Sequence, residues 1–197
     1  MYFFLKRVID VTISFFLIIF LFPLLIFSSL LILIIDRQQP LFIQKRSGIN
    51  GRKFNLYKLQ TMRNVNGKKK ITSLGKVLRV SKIDELPQLY NILKNSMSII
   101  GPRPLYVEFN QFYKKQHLLR LSVKPGLTGL AQIKLRKNTD WSRKFNFDVI
   151  YVKKANLKLD IYIIFQTFLL VFKSIFLTKK RSIENYDYYN NFFQNYK

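Results

Sequence analysis

The chain has 197 residues, with 34 Lys or Arg against 10 Asp or Glu, a formal net charge of +24, one histidine and no cysteine. This composition excludes disulfides, thiol chemistry and Cys/His metal sites, and it leaves His117 without the partners a metal cluster needs. The length suits one domain with an appended membrane element, and the charge asks for anionic partners such as phospholipid head groups, nucleotides, phosphosugars or nucleic acid.

The first element is apolar. Val11 to Ile35 runs 25 residues without a charge, longer than the roughly 20 residues that cross a bilayer. It is too long for the apolar part of a signal peptide, and no small-residue cleavage site follows it. Pro23 lies at its centre, where a proline removes an N–H and clashes with the preceding turn, so a break or kink is expected there. Lys6 and Arg7 precede the stretch, and Arg37, Lys45 and Arg46 follow it. Basic flanks mark cytoplasmic ends. A single span and a re-entrant helix-break-helix over residues 1–36 both fit the length, and the two basic flanks favour re-entry. Asp10 sits three residues after Arg7, on the same helical face. The two are expected either as an anchoring pair that meets a lipid phosphate, with Lys6, or as a plain salt bridge at head-group level.

Next comes a basic middle, the start of a cytosolic domain expected over residues 37–178. Thirteen Lys or Arg and no acid lie between Arg37 and Ile83. Gly48 and Asn50-Gly51 give turn signals, and Lys53 to Leu59 alternates as a strand does, so a hairpin carrying basic side chains, Lys58 among them, is expected. Asn64 to Lys70, "NVNGKKK", reads as a second turn with a charge run. A solvated face is the plain explanation; beside an anionic bilayer the same run docks the domain.

Asp84-Glu85 then breaks the acid-free run. Random placement of ten acids gives about half an adjacent pair in a chain of this length, so the pair needs context. After Pro87, Leu89, Tyr90 and Leu93 fall at helical spacing, which sets both acids near a helix start. They are then caps, or a carboxylate held ionised as nucleophile or metal ligand beside phosphate-binding amides. Arg79, five residues upstream, could neutralise that phosphate. "GPRP" (Gly101 to Pro104) fixes Arg103, a bidentate phosphate binder, between two prolines. "KPGLTGLAQ" (Lys124 to Gln132) adds a turn and a glycine, Gly129, that admits close backbone approach. Leu159 to Leu177 is apolar with a helical period, but its uncharged centre, Ile161 to Phe172, is 12 residues, too short to span. It reads as an interfacial helix or a core helix, and residues 179–197 as a loosely ordered tail.

Taken in order, "KRVID", the central proline, "QKRSGINGRKFNLYKLQTM", "LRVSKIDELPQLYNILKNSMSIIGPRPL", "KPGLTGLAQ" and "WSRKFNFDVIYV" resemble the bacterial sugar transferases, the monotopic phosphoglycosyl transferases acting on polyprenol phosphate. The resemblance runs from Lys6 to about Leu177, and the "DELPQL…GPRP" combination is its most specific part. It implies an α-rich α+β fold with a Pro-broken re-entrant membrane helix, a short β-hairpin and amphipathic interfacial helices. It implies transfer of sugar-1-phosphate from a UDP-sugar to undecaprenyl phosphate at the cytoplasmic face of a bacterial inner membrane, with UMP released. It further implies Asp84 as covalent nucleophile with Glu85 beside it, Mg²⁺ on these two acids, and Arg79, Arg103, Lys58 and Arg136 on substrate phosphate. An anionic bilayer is the expected surface partner, and a homodimer is compatible with the sequence without being specified by it. Three departures stand out: Phe22 where such families have Ser, Gln60 where they have Arg, and "KLRKN" (Lys134 to Asn138) where they have an "NGRN"-like stretch. The last bears on sugar and nucleotide selection. The competing reading from another class is a membrane-anchored basic protein that binds nucleic acid or lipid without catalysis.

Overall fold

The computed structural model describes residues 1–135 and 140–176. Arg136 and the tail from residue 179 onward therefore lie outside the described residues. The architecture is α-rich α+β, as the resemblance implies: six α-helices, several short 3-10 turns and three two-stranded sheets among the described residues.

Helix α1 (Tyr2–Leu31) leads into a π-helical turn, Ile32–Asp36, and Pro23 lies inside α1 without dividing it into two helices. Its burial pattern is the reverse of a soluble helix. The buried positions are Lys6, Asp10, Ser14 and Ser28, followed by Ile32 in the π-turn, while Phe4, Phe16, Phe20, Phe27 and Ile34 point outward and are exposed. A helix polar toward the protein and apolar toward its surroundings has the sidedness of a lipid-facing helix. By length and composition α1 with its π-turn is apolar enough to cross a membrane. So is α6 (Leu157–Phe176), which corrects the expectation that this stretch is too short: the helix extends past the uncharged centre to 20 residues.

The polar stripe of α1 fastens it to the rest of the chain. Lys6 Nζ donates to Asp160 Oδ2 at 2.7 Å, Tyr2 donates to the same oxygen at 2.7 Å, and the Tyr151 hydroxyl donates to Asp160 Oδ1 at 2.9 Å. Arg7 donates to the carbonyls of Ile92 (2.7 Å) and Leu93 (3.2 Å), which end helix α3 (Gln88–Leu93). Asp10 accepts from the Ser98 hydroxyl at 2.7 Å and from the Ile99 amide at 3.2 Å. Arg7 and Asp10 are therefore not each other's partners, contrary to what their spacing predicts. Both face the domain, where buried backbone groups of α3 and of β5 (Ser98–Ile100) need partners more than two exposed side chains need each other. Lys6, Arg7 and Asp10 hold protein, and the lipid-phosphate role expected of them has no support in these contacts. At the far end, Ile32 packs with Leu59 and Leu78.

The hairpins form where turn chemistry predicts them. β1 (Leu41–Ser47) pairs antiparallel with β2 (Lys53–Leu59), around a turn in which Asn50 and Gly51 both have positive φ, 53° and 74°. β3 (Met62–Val65) pairs with β4 (Lys68–Ile71) across Asn66-Gly67, with φ 52° and 74°, the pair of positive values a type I′ turn requires. Helix α2 (Ser73–Ser81) starts on Thr72, whose hydroxyl oxygen accepts from the Gly75 amide at 2.9 Å. β5 and β6 (Gly126–Thr128) pair in parallel. A Cβ at Gly126 would meet the Gly101 amide nitrogen at 2.0 Å, and one at Gly129 would meet the Gly101 carbonyl oxygen at 2.2 Å. The close approach read from "KPGLTGLAQ" is thus real, and it seats the GPRP turn. Short helix α4 (Leu130–Lys134) follows, then α5 (Trp141–Lys154), capped by Asp140 accepting from the Arg143 amide at 3.2 Å.

The packing divides into local cores. Leu56, Leu89, Ile92 and Met97 lie under the first hairpin, Leu105, Phe109, Tyr113, Trp141 and Phe145 form an aromatic cluster behind the GPRP turn, and Ile100, Leu130, Tyr151 and Ile163 join α6 to the body. Helix α6 buries Asp160 and Ile163 and exposes Ile161, Phe165, Phe168, Phe172 and Phe176 along another face, so its sidedness resembles that of α1.

Candidate active site

Asp84 and Glu85 occupy a 3-10 turn, Ile83–Glu85, between α2 and α3. The chain enters it through Lys82, whose φ of 64° reverses direction after α2. The acids were expected at a helix start, and α3 does begin just beyond, at Gln88. Neither acid caps it with a side-chain hydrogen bond. The capping explanation of the pair therefore fails on geometry.

Both acids are buried, at 6% and 8% exposure, and their surroundings differ. Glu85 Oε1 accepts from Lys58 Nζ at 3.2 Å and from Arg103 Nη2 at 3.1 Å. Burial pushes the Glu85 carboxyl up, but Lys58, Lys82 and Arg103 outweigh it and hold the group well below the usual carboxylate range. Asp84 Oδ1 is buried and has no hydrogen-bond partner among the described residues. Burial and the adjacent Glu85 charge raise its pKa to about 6, against the pull of Lys58, Lys82 and Arg79. The sequence reading placed Asp84 at a helix end that keeps it ionised. The structure instead leaves it a carboxylate made basic by burial, ionised at neutral pH and more nucleophilic for it.

The bases gather as expected. Lys58 reaches from β2; burial lowers its pKa, Glu85 opposes that, and Arg103 adds to it. Arg79, on the last turn of α2, donates through Nε to the Thr61 hydroxyl at 2.8 Å and feels the charge of both Asp84 and Glu85. Of the two bases on Glu85, Arg103 is the more open, its side chain 38% exposed against 19% for Lys58. The structure thus brings Asp84, Glu85, Arg79, Arg103 and Lys58 together. It keeps Lys6, Arg7 and Asp10 on the α1 seam and leaves Pro23 within α1.

Several groups in and behind the site were not singled out from the sequence. Arg120 donates to Asp148 Oδ2 at 3.0 Å, to the Tyr113 hydroxyl at 2.6 Å and to the Arg103 carbonyl at 2.7 Å. It is buried, and it fixes the backbone from which Arg103 reaches Glu85. Lys144 lies with Nζ 4.9 Å from the Trp141 ring centroid. Burial lowers its pKa to about 8, Asp140 opposes this, and Arg103 adds to it, so Lys144 extends the cationic rim past Arg103. Neither role has a spacing signal in the sequence: Lys144 and Asp148 stand four apart on α5, yet Asp148 is held by Arg120.

Chemically, the site offers one oxygen nucleophile, a second carboxylate locked by bases, and cations arranged for phosphoryl oxygens. Among the described residues no three His, Asp or Glu gather to hold a metal ion on their own. Mg²⁺ is commonly held by one or two carboxylates with the remaining positions supplied by substrate phosphate and water, and the unpartnered Asp84 Oδ1 beside Glu85 fits that donor set.

Comparison with known proteins agrees with the resemblance read from the motifs. Residues 1–174 match the bacterial sugar transferase family. An uncharacterized sugar transferase, EpsL, of Bacillus subtilis is 36% identical over 168 residues, 81% of this chain and 83% of that protein. A UDP-glucose:undecaprenyl-phosphate glucose-1-phosphate transferase of Caulobacter vibrioides is 34% identical over 180 residues, 82% of this chain and 67% of that one. A protein of the same description from Klebsiella pneumoniae is 33% identical over 82% of this chain, which spans only 39% of that protein. The chain belongs to the bacterial sugar transferase family. Several of its relatives are described as undecaprenyl-phosphate sugar phosphotransferases.

Proposed function

We propose that this protein transfers a sugar-1-phosphate from a UDP-sugar to undecaprenyl phosphate through a phosphosugar ester on Asp84. The observation that carries this reading is the asymmetry of the acid pair: Glu85 is tied to Lys58 and Arg103, while Asp84 presents a buried, unbonded oxygen of raised basicity. In the first step the Asp84 carboxylate attacks the sugar-bearing phosphorus, the bond from phosphorus to the bridging oxygen breaks, and UMP leaves with the electron pair. In the second, an oxygen of undecaprenyl phosphate attacks the same phosphorus and Asp84 departs as carboxylate. Arg79, Arg103 and Lys58 hold phosphoryl oxygens through both steps, with Arg136 as a further candidate outside the described residues. Mg²⁺ bound at Asp84 and Glu85 would neutralise diphosphate charge and ease departure of UMP.

The membrane arrangement supports the same reading. One stripe of α1, from Lys6 to Ile32, lies against the rest of the protein, so neither end is carried away from the catalytic body. Contact of both ends with the body supports placing both at the cytoplasmic face of the inner membrane, where UDP-sugars and an acceptor phosphate meet, although Pro23 leaves α1 undivided. The plain nucleic-acid-binding alternative accounts for the charge and leaves the buried acid pair without a purpose.

The test is release of UMP from a panel of UDP-sugars, including the glucose and N-acetylgalactosamine forms named for relatives, with and without undecaprenyl phosphate. Acceptor-dependent UMP release from one sugar nucleotide is expected. No release from any of them, by protein shown to be folded and membrane-inserted, contradicts the reading.

A further inference from the structure

The β3–β4 hairpin carries four exposed cations that the transfer site does not use: Arg63, Lys68, Lys69 and Lys70. Its register sets Arg63 opposite Lys70 and Val65 opposite Lys68, so Arg63, Lys68 and Lys70 share one face of the ribbon. Like charges directly opposite destabilise a strand pair, and no acid lies on the hairpin to relieve them. An external anionic surface would.

The root of the hairpin sits at the end of the membrane helix. β4 ends at Ile71, and the next residue, Thr72, donates its hydroxyl to Asp36 Oδ2 at 2.7 Å. Asp36 closes the apolar segment, immediately after Leu33, Ile34 and Ile35, which are 53%, 69% and 60% exposed. On the other side, α2 meets α6, where Ser174 donates to the Val80 carbonyl at 3.4 Å beside exposed Phe172 and Phe176. The end of α1 therefore lies at the root of the hairpin, and α6 meets the far end of the helix that follows it. At about 3.3 Å per residue, Lys70 lies roughly 7 Å and Lys68 roughly 13 Å along the strand from Thr72. These spacings compare with a Debye length of about 8 Å at physiological salt.

We propose that the β3–β4 hairpin is an electrostatic foot that docks on anionic phospholipid head groups beside the end of α1. The inference rests on membrane insertion of α1, argued above. Each Lys or Arg near an anionic surface is worth about fivefold in surface association, so Arg63, Lys68 and Lys70 on their shared face together change the docked-to-undocked ratio by about a hundredfold.

The chain has no cysteine, so Asn64→Cys supplies a single thiol on the hairpin for a fluorophore. The full chain is placed in nanodiscs of phosphatidylcholine alone or with 30% phosphatidylglycerol, each containing head-group nitroxide lipid as quencher. Quenching should rise with phosphatidylglycerol, fall in high salt, and be lost in Arg63→Gln/Lys68→Gln/Lys70→Gln. A separate label at Phe20→Cys, quenched by acyl-chain nitroxide, reports insertion. Failure of the Phe20 signal refutes the insertion on which the inference rests. A quenched Phe20 label with hairpin quenching indifferent to phosphatidylglycerol or to the triple variant overturns the foot alone. Displacement of the hairpin from anionic discs by duplex DNA assigns the patch to nucleic acid, and a tenfold rise in KM for the UDP-sugar in the triple variant assigns it to the donor. Either result also overturns it.

Discussion

Two adjacent carboxylates in one buried turn repel each other, and the surrounding bases settle which one yields. Lys58 and Arg103 are spent on Glu85, so Asp84 absorbs the burial penalty and the repulsion. Asp84 must lose its proton to attack, so kcat/KM for the UDP-sugar should rise with pH through a limb near 6, the value for free enzyme. The limb should be measured with donor well below saturation. The same group opposes folding at neutral pH. Its folded pKa exceeds the unfolded value of 3.8, so the penalty is absent below about pH 4 and complete above about pH 6. Asp84→Asn should therefore abolish turnover while raising stability at pH 7 by on the order of 1–3 kcal/mol. A thermal midpoint lower than wild type would contradict the raised pKa. Glu85 has the opposite sign, adding stability at neutral pH that is lost as pH falls below its ordinary value of 4.5. Glu85→Gln strands the buried Lys58 ammonium beside Arg103 and should destabilise by about 3–5 kcal/mol, as removing one partner of a buried pair does. Pairing it with Lys58→Met should restore much of that loss in a denaturation series.

Helix α5 shows how an element far in sequence sets the chemistry. Asp148 holds Arg120, and Arg120 holds the carbonyl of Arg103. Asp148→Asn should lower the thermal midpoint by roughly 10 °C. Below that midpoint it should still raise KM for the UDP-sugar, because Arg103 loses its backing. A stability loss with unchanged KM would make the pair purely structural. This support was hard to read in the sequence, since Arg120 and Asp148 are 28 residues apart and an isolated Arg or Asp carries no periodic signal. The hairpins, by contrast, were legible from Asn50-Gly51 and Asn66-Gly67, because positive φ at both turn residues is a local demand. The acid pair was legible as a break in a long basic run. Its environment was not: burial and the Lys58 and Arg103 contacts depend on tertiary packing, so the direction of the Asp84 shift could not be read from its place before Pro87. The Arg7–Asp10 spacing misled for the same reason. Helical periodicity shows which side chains share a face and is silent about what that face meets.

At the scale of the molecule, two apolar helices with outward aromatic faces frame a body whose cations gather around the acid pair. If α1 re-enters, a cysteine inserted after Met1 and another at exposed Lys154 should both resist a membrane-impermeant thiol reagent in intact cells; labelling of the first alone would establish a span. The whole arrangement serves one chemical claim, that Asp84 carries the phosphosugar between donor and acceptor. Intact mass of the protein in nanodiscs, given its UDP-sugar and Mg²⁺ without acceptor, tests that claim most directly. The account predicts a mass increase of one phosphosugar on the wild type, its disappearance when undecaprenyl phosphate is added, and no adduct on folded Asp84→Asn. Near-normal turnover by Asp84→Asn, or an adduct that survives this substitution, would contradict it.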